Sequence, residues 1–220
     1  MVRDGNLART MAPREVRRER RRAEERLRIL HAAARAFRAH GFAATGMRDI
    51  AAEADLSAAN LYHYFSSKDE LLFFCQDRTL DRLFEILEVT RRARGPVPGR
   101  LQGLASAHVL CLIDEVEGSA AHLEVDALPP ELRAGVVAKR DRYERGVRAL
   151  VAAGIRRREL RGCDATLATR GFLGALNWTA HWFRPGGARR AAQVAAEIAD
   201  YAVAGLAAGQ TRRSPAPRRR

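Results

Sequence analysis

Residues 42–68 read FAATGMRDIAAEADLSAANLYHYFSSK, and this stretch decides the fold. It accommodates two short helices joined by a turn of about four residues, the arrangement of a DNA-binding helix-turn-helix. Thr45 occupies an N-cap position, where a hydroxyl accepts from the free N–H groups of the following turn. From Gly46 to Ala54 the apolar residues Met47, Ile50, Ala51 and Ala54 recur at spacings of three and four, which predicts one buried helical face. Asp55-Leu56-Ser57 interrupts that pattern. Leu56 is an apolar plug between the helices, and Ser57 is the N-cap of a second helix expected from Ala58 to about Phe65. Leu61 and Phe65 face inward, leaving Ala58, Ala59, Asn60, Tyr62, His63 and Tyr64 mostly on the other faces.

That second helix carries small residues at its start, then an amide, then three rings that hydrogen-bond. A helix selected only for solubility carries Glu and Lys instead. Small side chains allow close approach in a major groove, and hydroxyls and amides reach phosphates or base edges. Thr45, Arg48, Ser57, Ala58, Ala59, Asn60, Tyr62, His63, Tyr64 and Lys68 are the candidate DNA contacts, with Lys68 placed for a phosphate.

The segment ATGMRDIAAEADLSAANLYHYFSSKDELL resembles the DNA-binding signature of TetR-family repressors. Arg-Asp-Ile-Ala lies on the first helix, Leu-Tyr-His-Tyr-Phe on the second, and Ser-Lys-Asp-Glu-Leu-Leu opens a long linking helix. The likeness runs from Leu27 to Leu72, and departs at Gly46, where the family often has Ser, Thr or Val. It implies a dimeric DNA-binding repressor whose second domain takes a small-molecule effector.

Charge placement agrees. Of the net charge of +13, residues 1–68 contribute a surplus of 6 and the tail Arg212–Arg220 a further 5. Basic clusters of this kind mark nucleic-acid contact. Nearly all the cations are Arg, Lys68 and Lys139 being the exceptions, and with the abundant Ala this fits GC-rich coding; coding bias does not explain the clustering. Between Arg14 and Arg28 stand 8 Arg and 4 Glu, read either as a solvated extension of the first helix or as an arm along DNA phosphates. No apolar run approaches a membrane span and the N-terminus has no apolar signal core, so a cytoplasmic location is expected. Cys75, Cys111 and Cys163 form no Cys-x-x-Cys pair. His108-x-x-Cys111 with His122 matches no common zinc spacing, so no metal and no resident cofactor is expected.

The rest of the chain predicts an all-α protein of about nine helices. Leu27, Leu30, Ala34 and Phe37 form the supporting helix, which Gly41 ends. A long helix is expected over Lys68 to Ala93, then helices over Leu101 to about Glu117, Pro129-Pro130 to about Arg157, 165–183 and 189–208. The domain organisation is a basic arm at 1–13, a helix-turn-helix unit at 14–72, an effector and dimerisation domain at 73–209, and a basic tail at 210–220, both termini expected to be disordered. Gly171, Gly174 and Ala175 on one of the last two helices, and Ala195, Ala199 and Ala202 on the other, make small-residue surfaces suited to a four-helix dimer interface or to packing within one chain.

RDRYERGVRALVAAGIRRREL at 140–160 and GFLGALNWTAHWFRPGG at 171–187 resemble a TetR subgroup that senses acyl-CoA thioesters, including regulators of fatty-acid and steroid catabolism. The likeness implies an effector site drawn from Leu104, His108, Leu112, Tyr143, Asn177, Trp178, His181 and Trp182, with Arg140, Arg142, Arg145 and Arg148 for the CoA head and a bulky or long acyl group. A regulator of drug efflux that senses a hydrophobic or cationic drug is the alternative within the family. An architectural DNA-binding protein and an enzyme acting on acyl-CoA are the alternatives outside it. The chain has no Gly-rich phosphate loop, nucleophile elbow or helical metal motif to support catalysis.

Overall fold

A computed structural model describes residues 13–113 and 124–208. The N-terminal arm up to Met11-Ala12 and the basic tail from Gly209 lie outside the described residues, as does His122. The described chain is all-α, with eight α-helices and one 3-10 turn among the described residues. They are α1 (Pro13–His40), α2 (Met47–Glu53), α3 (Ala58–Tyr62), α4 (Lys68–Arg92), α5 (Val97–Ile113), α6 (Pro130–Arg156), α7 (Ala165–Trp182) and α8 (Ala191–Ala204), with the 3-10 turn at Val125–Ala127.

Local chemistry sets the ends of these helices. Gly41, at φ +77°, closes α1 by donating to the Phe37 carbonyl. At the end of α2, Asp55 takes the left-handed conformation at φ +54°. Asp55 and Leu56 then donate back to the carbonyls of Ala52 and Ala51, the paired bonds of a Schellman end. That turn replaces a glycine with an aspartate, one of the few residues that tolerate positive φ. Ser57, Ser67 and Asp164 cap α3, α4 and α7 by accepting from the N–H of Asn60, Glu70 and Leu167. α3 stops at Tyr62, short of Phe65, because His63 and Tyr64 bond three residues back and tighten the last turn. α5 begins before Leu101, since Pro98 fits a first helical turn.

The core is continuous through the molecule. Ile29, Phe37, Ile50, Leu61 and Phe65 pack with Leu71 and Leu72 at the start of α4. The same helix carries Leu80, Leu83 and Leu87 into the second half, against Leu104 and Val109 of α5 and Val147 of α6. α4 therefore crosses the boundary drawn at Leu72 without a break. Gly146 lets α6 approach α4 closely, since a methyl group there would collide with the side chain of Leu87. Lys139 of α6 ties the two helices from the surface by reaching Asp77 at 2.5 Å and Asp81 at 2.6 Å.

Candidate nucleic-acid interface and effector cavity

The helix-turn-helix presents the residues its sequence promises, with two corrections. Arg48, Ala59, Asn60, Tyr62 and His63 are exposed, and Ala58 and Tyr64 are half-buried. Ser57 is exposed, but its hydroxyl oxygen is occupied as the cap of α3. Thr45 is not the N-cap, and its hydroxyl is turned inward rather than towards a DNA surface. It is 1% exposed, and its hydroxyl donates to the carbonyls of Gly41 at 2.7 Å and Ala36 at 3.3 Å. Gly46 takes the cap position instead, and the Asp49 carboxylate accepts from its N–H at 2.7 Å. The second correction concerns Lys68. Its ammonium points inward to the α1–α2 loop, donating to the carbonyls of Phe42 and Ala43 and lying over the Phe42 ring. That leaves a phosphate only the remaining N–H.

A basic surface lies beside the end of α3. Arg14, Arg17, Arg18, Arg21 and Arg22 recur at spacings of three and four along the first half of α1. They line a groove of about 1010 Å³ whose other wall includes His63 and Tyr64 at the end of α3. The interleaved Glu residues are partly consumed in local pairs, Arg20–Glu24 and Arg28–Glu25. Farther along α1, Arg35 pairs with Glu53 of α2 and Arg28 donates to the Ala54 carbonyl, fixing α1 across the helix-turn-helix.

In the second half, α4, α5, α6 and α7 line a cavity of about 370 Å³ that opens to the surface beside Val137, Asp141 and Arg170. Its apolar wall is Leu80, Leu83, Val137 and Leu173, and Arg140, Asp141, Glu144 and Arg170 supply charge. Three of the predicted effector residues meet here. His108 Nδ1 lies 3.0 Å from the Tyr143 hydroxyl, and His108 Nε2 lies 3.0 Å from Asn177 Oδ1. Both His108 and Tyr143 are buried. Burial pulls the His108 imidazole down from its ordinary 6.5 to about 4, against the opposing hydrogen bond with Asn177, so it is neutral near pH 7. Burial likewise pushes the Tyr143 phenol well above its usual range. Arg140 is lowered by burial, with Asp126 and Asp141 opposing the shift.

The other five predicted effector residues are not in this cavity. Leu104 and Leu112 are fully buried core residues that do not line it. Trp178 and Trp182 are 62% and 45% exposed, and His181 is exposed with its ring 4.3 Å from that of Trp178. Four residues apart, these tryptophans share a face of α7 that points away from the protomer's core. Of the arginines expected for a CoA head, only Arg140 lines the cavity; Arg142 lies over the Phe84 ring and Arg148 is paired with Glu144.

The small-residue surfaces divide. Ala195, Ala199 and Ala202 are buried within the protomer, in the core shared with α5. Gly171 and Gly174 are exposed, with open space where a Cβ would stand, and Ala175 is half-buried. Leu167, at 70% exposure, continues their line along α7 towards Trp178, and Tyr201 of α8, at 74%, lies across the groove between the two helices. The sequence signal for this face is the spacing Leu167, Gly171, Gly174, Trp178, Trp182, which keeps to one side of a helix.

Among the described residues no helix is long and apolar enough to cross a membrane, and no group of three metal-ligating side chains comes together. The Cys75 thiol is buried and pushed up to about 12, which makes it a poor nucleophile.

Residues 29–73 match the family model for bacterial regulatory proteins of the tetR family, and residues 95–206 match that for a tetracyclin repressor-like C-terminal domain. The HTH-type transcriptional repressor KstR2 of Mycobacterium tuberculosis is 29% identical over 187 residues, covering 81% of this chain and 90% of that protein. The crystal structure of the TetR-family regulator PfmR from Thermus thermophilus superposes with a TM-score of 0.72 at 34% identity, over 81% of this chain and 98% of PfmR. The crystal structure of AibR in complex with isovaleryl coenzyme A and operator DNA superposes with a TM-score of 0.68 at 29% identity, over 82% and 97% of the two chains.

Proposed function

The chain belongs to the TetR family of bacterial transcriptional regulators, and from that premise we propose that a dimer of this DNA-binding repressor is released from its operator by a compact acyl-CoA thioester. One observation carries the effector reading. The cavity between α4 and α7 is bounded by Leu80 and Leu83 of α4, the helix whose first residue, Lys68, is bonded to the DNA-binding unit. A ligand there presses on the element that positions α3. AibR, solved with both isovaleryl-CoA and operator DNA, supports the choice of ligand class. The cavity volume of about 370 Å³ is at the lower end of ligand sites, ~300–1,000 Å³, which suits a compact acyl group better than a long chain.

On DNA, α3 enters the major groove, with Asn60 and Arg48 reading bases and Tyr64 and the α1 arginines holding phosphates. The twofold mate presents its own α3 about 34–36 Å away on a near-palindromic site. The mates meet through the α7 face of Leu167, Gly171, Gly174 and Trp178, joined by Tyr201 of α8.

The ligand shifts the repressor only by its preference for the DNA-incompetent state, with coupling of typically ~1–3 kcal/mol, or about 5–150-fold. The test is release of a fluorescent duplex from the gene's own upstream region. Release by a short or branched acyl-CoA, but not by CoA or the free acid, is expected, with the thioester recovered intact because the cavity senses and does not turn over. Release by a cationic drug with no response to any thioester would assign the protein to the drug-sensing type.

A further inference from the structure

The chemistry of the cavity's polar end is set by which atoms carry hydrogen. Asn177 Oδ1 has none, so the proton in its contact with His108 belongs to Nε2. A neutral imidazole carries one ring proton, so His108 Nδ1 is bare and the Tyr143 hydroxyl donates to it. The hydroxyl hydrogen, the imidazole hydrogen and the Asn177 carbonyl are thus consumed among themselves. The Asn177 Nδ2 amide remains, and it makes no hydrogen bond to a described residue. Asn177 lines the cavity, so the group that this network offers to a ligand is a neutral N–H donor. Beside the apolar wall of Leu80, Leu83, Val137 and Leu173, this donor is placed to meet a carbonyl oxygen.

We propose that the Asn177 side-chain amide, oriented by His108 and Tyr143, is the donor that receives the carbonyl oxygen of the acyl thioester. This rests on the acyl-CoA reading above and deepens it. The thioester linkage itself, and not only the acyl chain, is then what the cavity recognises. His108 and Tyr143 are positioning residues. They hold the carboxamide with its oxygen turned away and its nitrogen towards the ligand.

The experiment compares each thioester with an analogue of equal length that lacks the carbonyl. Butyryl-, isovaleryl-, hexanoyl- and octanoyl-CoA and the matching S-alkyl-CoA thioethers are titrated calorimetrically into the full-length protein, and into the Asn177→Ala and Asn177→Asp variants. Asn177→Asp keeps an oxygen for His108 but removes the donor. In the wild type the best thioester binds about tenfold tighter than its thioether, the worth of one hydrogen bond. In both variants that ratio falls to about one. The ratio is internal to each protein, so a general loosening of the cavity does not move it. Equal affinity of thioester and thioether for the wild type, or an unchanged ratio in both variants, overturns the inference while leaving the acyl-CoA reading in place. Binding of neither series to the wild type removes the acyl-CoA reading and this inference together.

Discussion

The Lys68 ammonium donates to the Phe42 carbonyl at 2.8 Å and lies 4.3 Å from the centre of that residue's ring. The first residue of α4 is thereby fastened to the loop between α1 and α2. Any tilt of α4 is handed directly to the helix-turn-helix. Lys68→Ala removes this strap, so operator affinity falls by about tenfold or more through misplacement of α3. The slope of log affinity against log salt stays near the wild-type value, because no phosphate contact is lost. A slope reduced by ~0.9, the signature of one released counterion, would return Lys68 to the phosphate backbone.

The α1 arginines carry the opposite signature. Arg17, Arg18 and Arg21 face the groove beside His63 and Tyr64. Replacing the three with Ala weakens binding to every duplex alike and lowers the salt slope by ~0.9 for each phosphate released. Binding isotherms over a series of salt concentrations check this. A triple variant with an unchanged slope would make the extension a solvated helix and nothing more.

Gly171 and Gly174 offer a test of the dimer that spares the protomer. A Cβ at either position meets nothing within 4 Å in the protomer, and leaving glycine favours the helix by ~0.8–1 kcal/mol per site relative to alanine. Gly171→Leu with Gly174→Leu keeps helicity and thermal unfolding of the protomer, but holds two α7 helices apart at a cost of about 1–3 kcal/mol for each overpacked site. Sedimentation should show a shift to monomer at micromolar concentration and loss of operator binding. A variant that still sediments as a dimer would put the interface elsewhere.

The buried imidazole makes stability depend on pH. The folded pKa of His108 is depressed from 6.5 to about 4, so below the unfolded value the unfolded chain binds a proton that the folded chain refuses. This contribution is fully present above pH 6.5 and is lost progressively as pH falls towards 4, by on the order of a few kcal/mol. Urea unfolding at a series of pH values should show the wild type losing more stability across this window than His108→Gln. Parallel losses would mean that His108 is not held neutral.

The parts of this molecule that are legible in its sequence are those fixed by local chemistry. Ser57 caps the helix it precedes, and Gly41 terminates α1, since each acts within one turn. Thr45 and Lys68 defeat a local reading because short-range rules describe them well while longer-range partners, the Ala36 and Phe42 carbonyls, compete for the same atoms. His108, Tyr143 and Asn177 are 35 and 69 residues apart in the chain, and only the packing of α5, α6 and α7 shows that they form one network. Trp178 joins the effector residues through the family resemblance alone, its residue type fitting a core or an interface as well; its exposure follows from its place on the outer face of α7. Ala195 and Ala199 carry no signal that distinguishes a face turned to α5 from one turned to a second chain.

Reciprocity gives the most direct measurement of the whole account. If an acyl-CoA weakens operator binding by some factor, the operator must weaken acyl-CoA binding by the same factor. Affinity for the most effective thioester is therefore measured on the free protein and on the protein saturated with its operator duplex. The account predicts weaker binding to the operator complex, by a factor within about 5–150 that equals the loss of DNA affinity caused by the ligand. Equal affinity in the two states would contradict it, because a ligand indifferent to DNA cannot release the repressor.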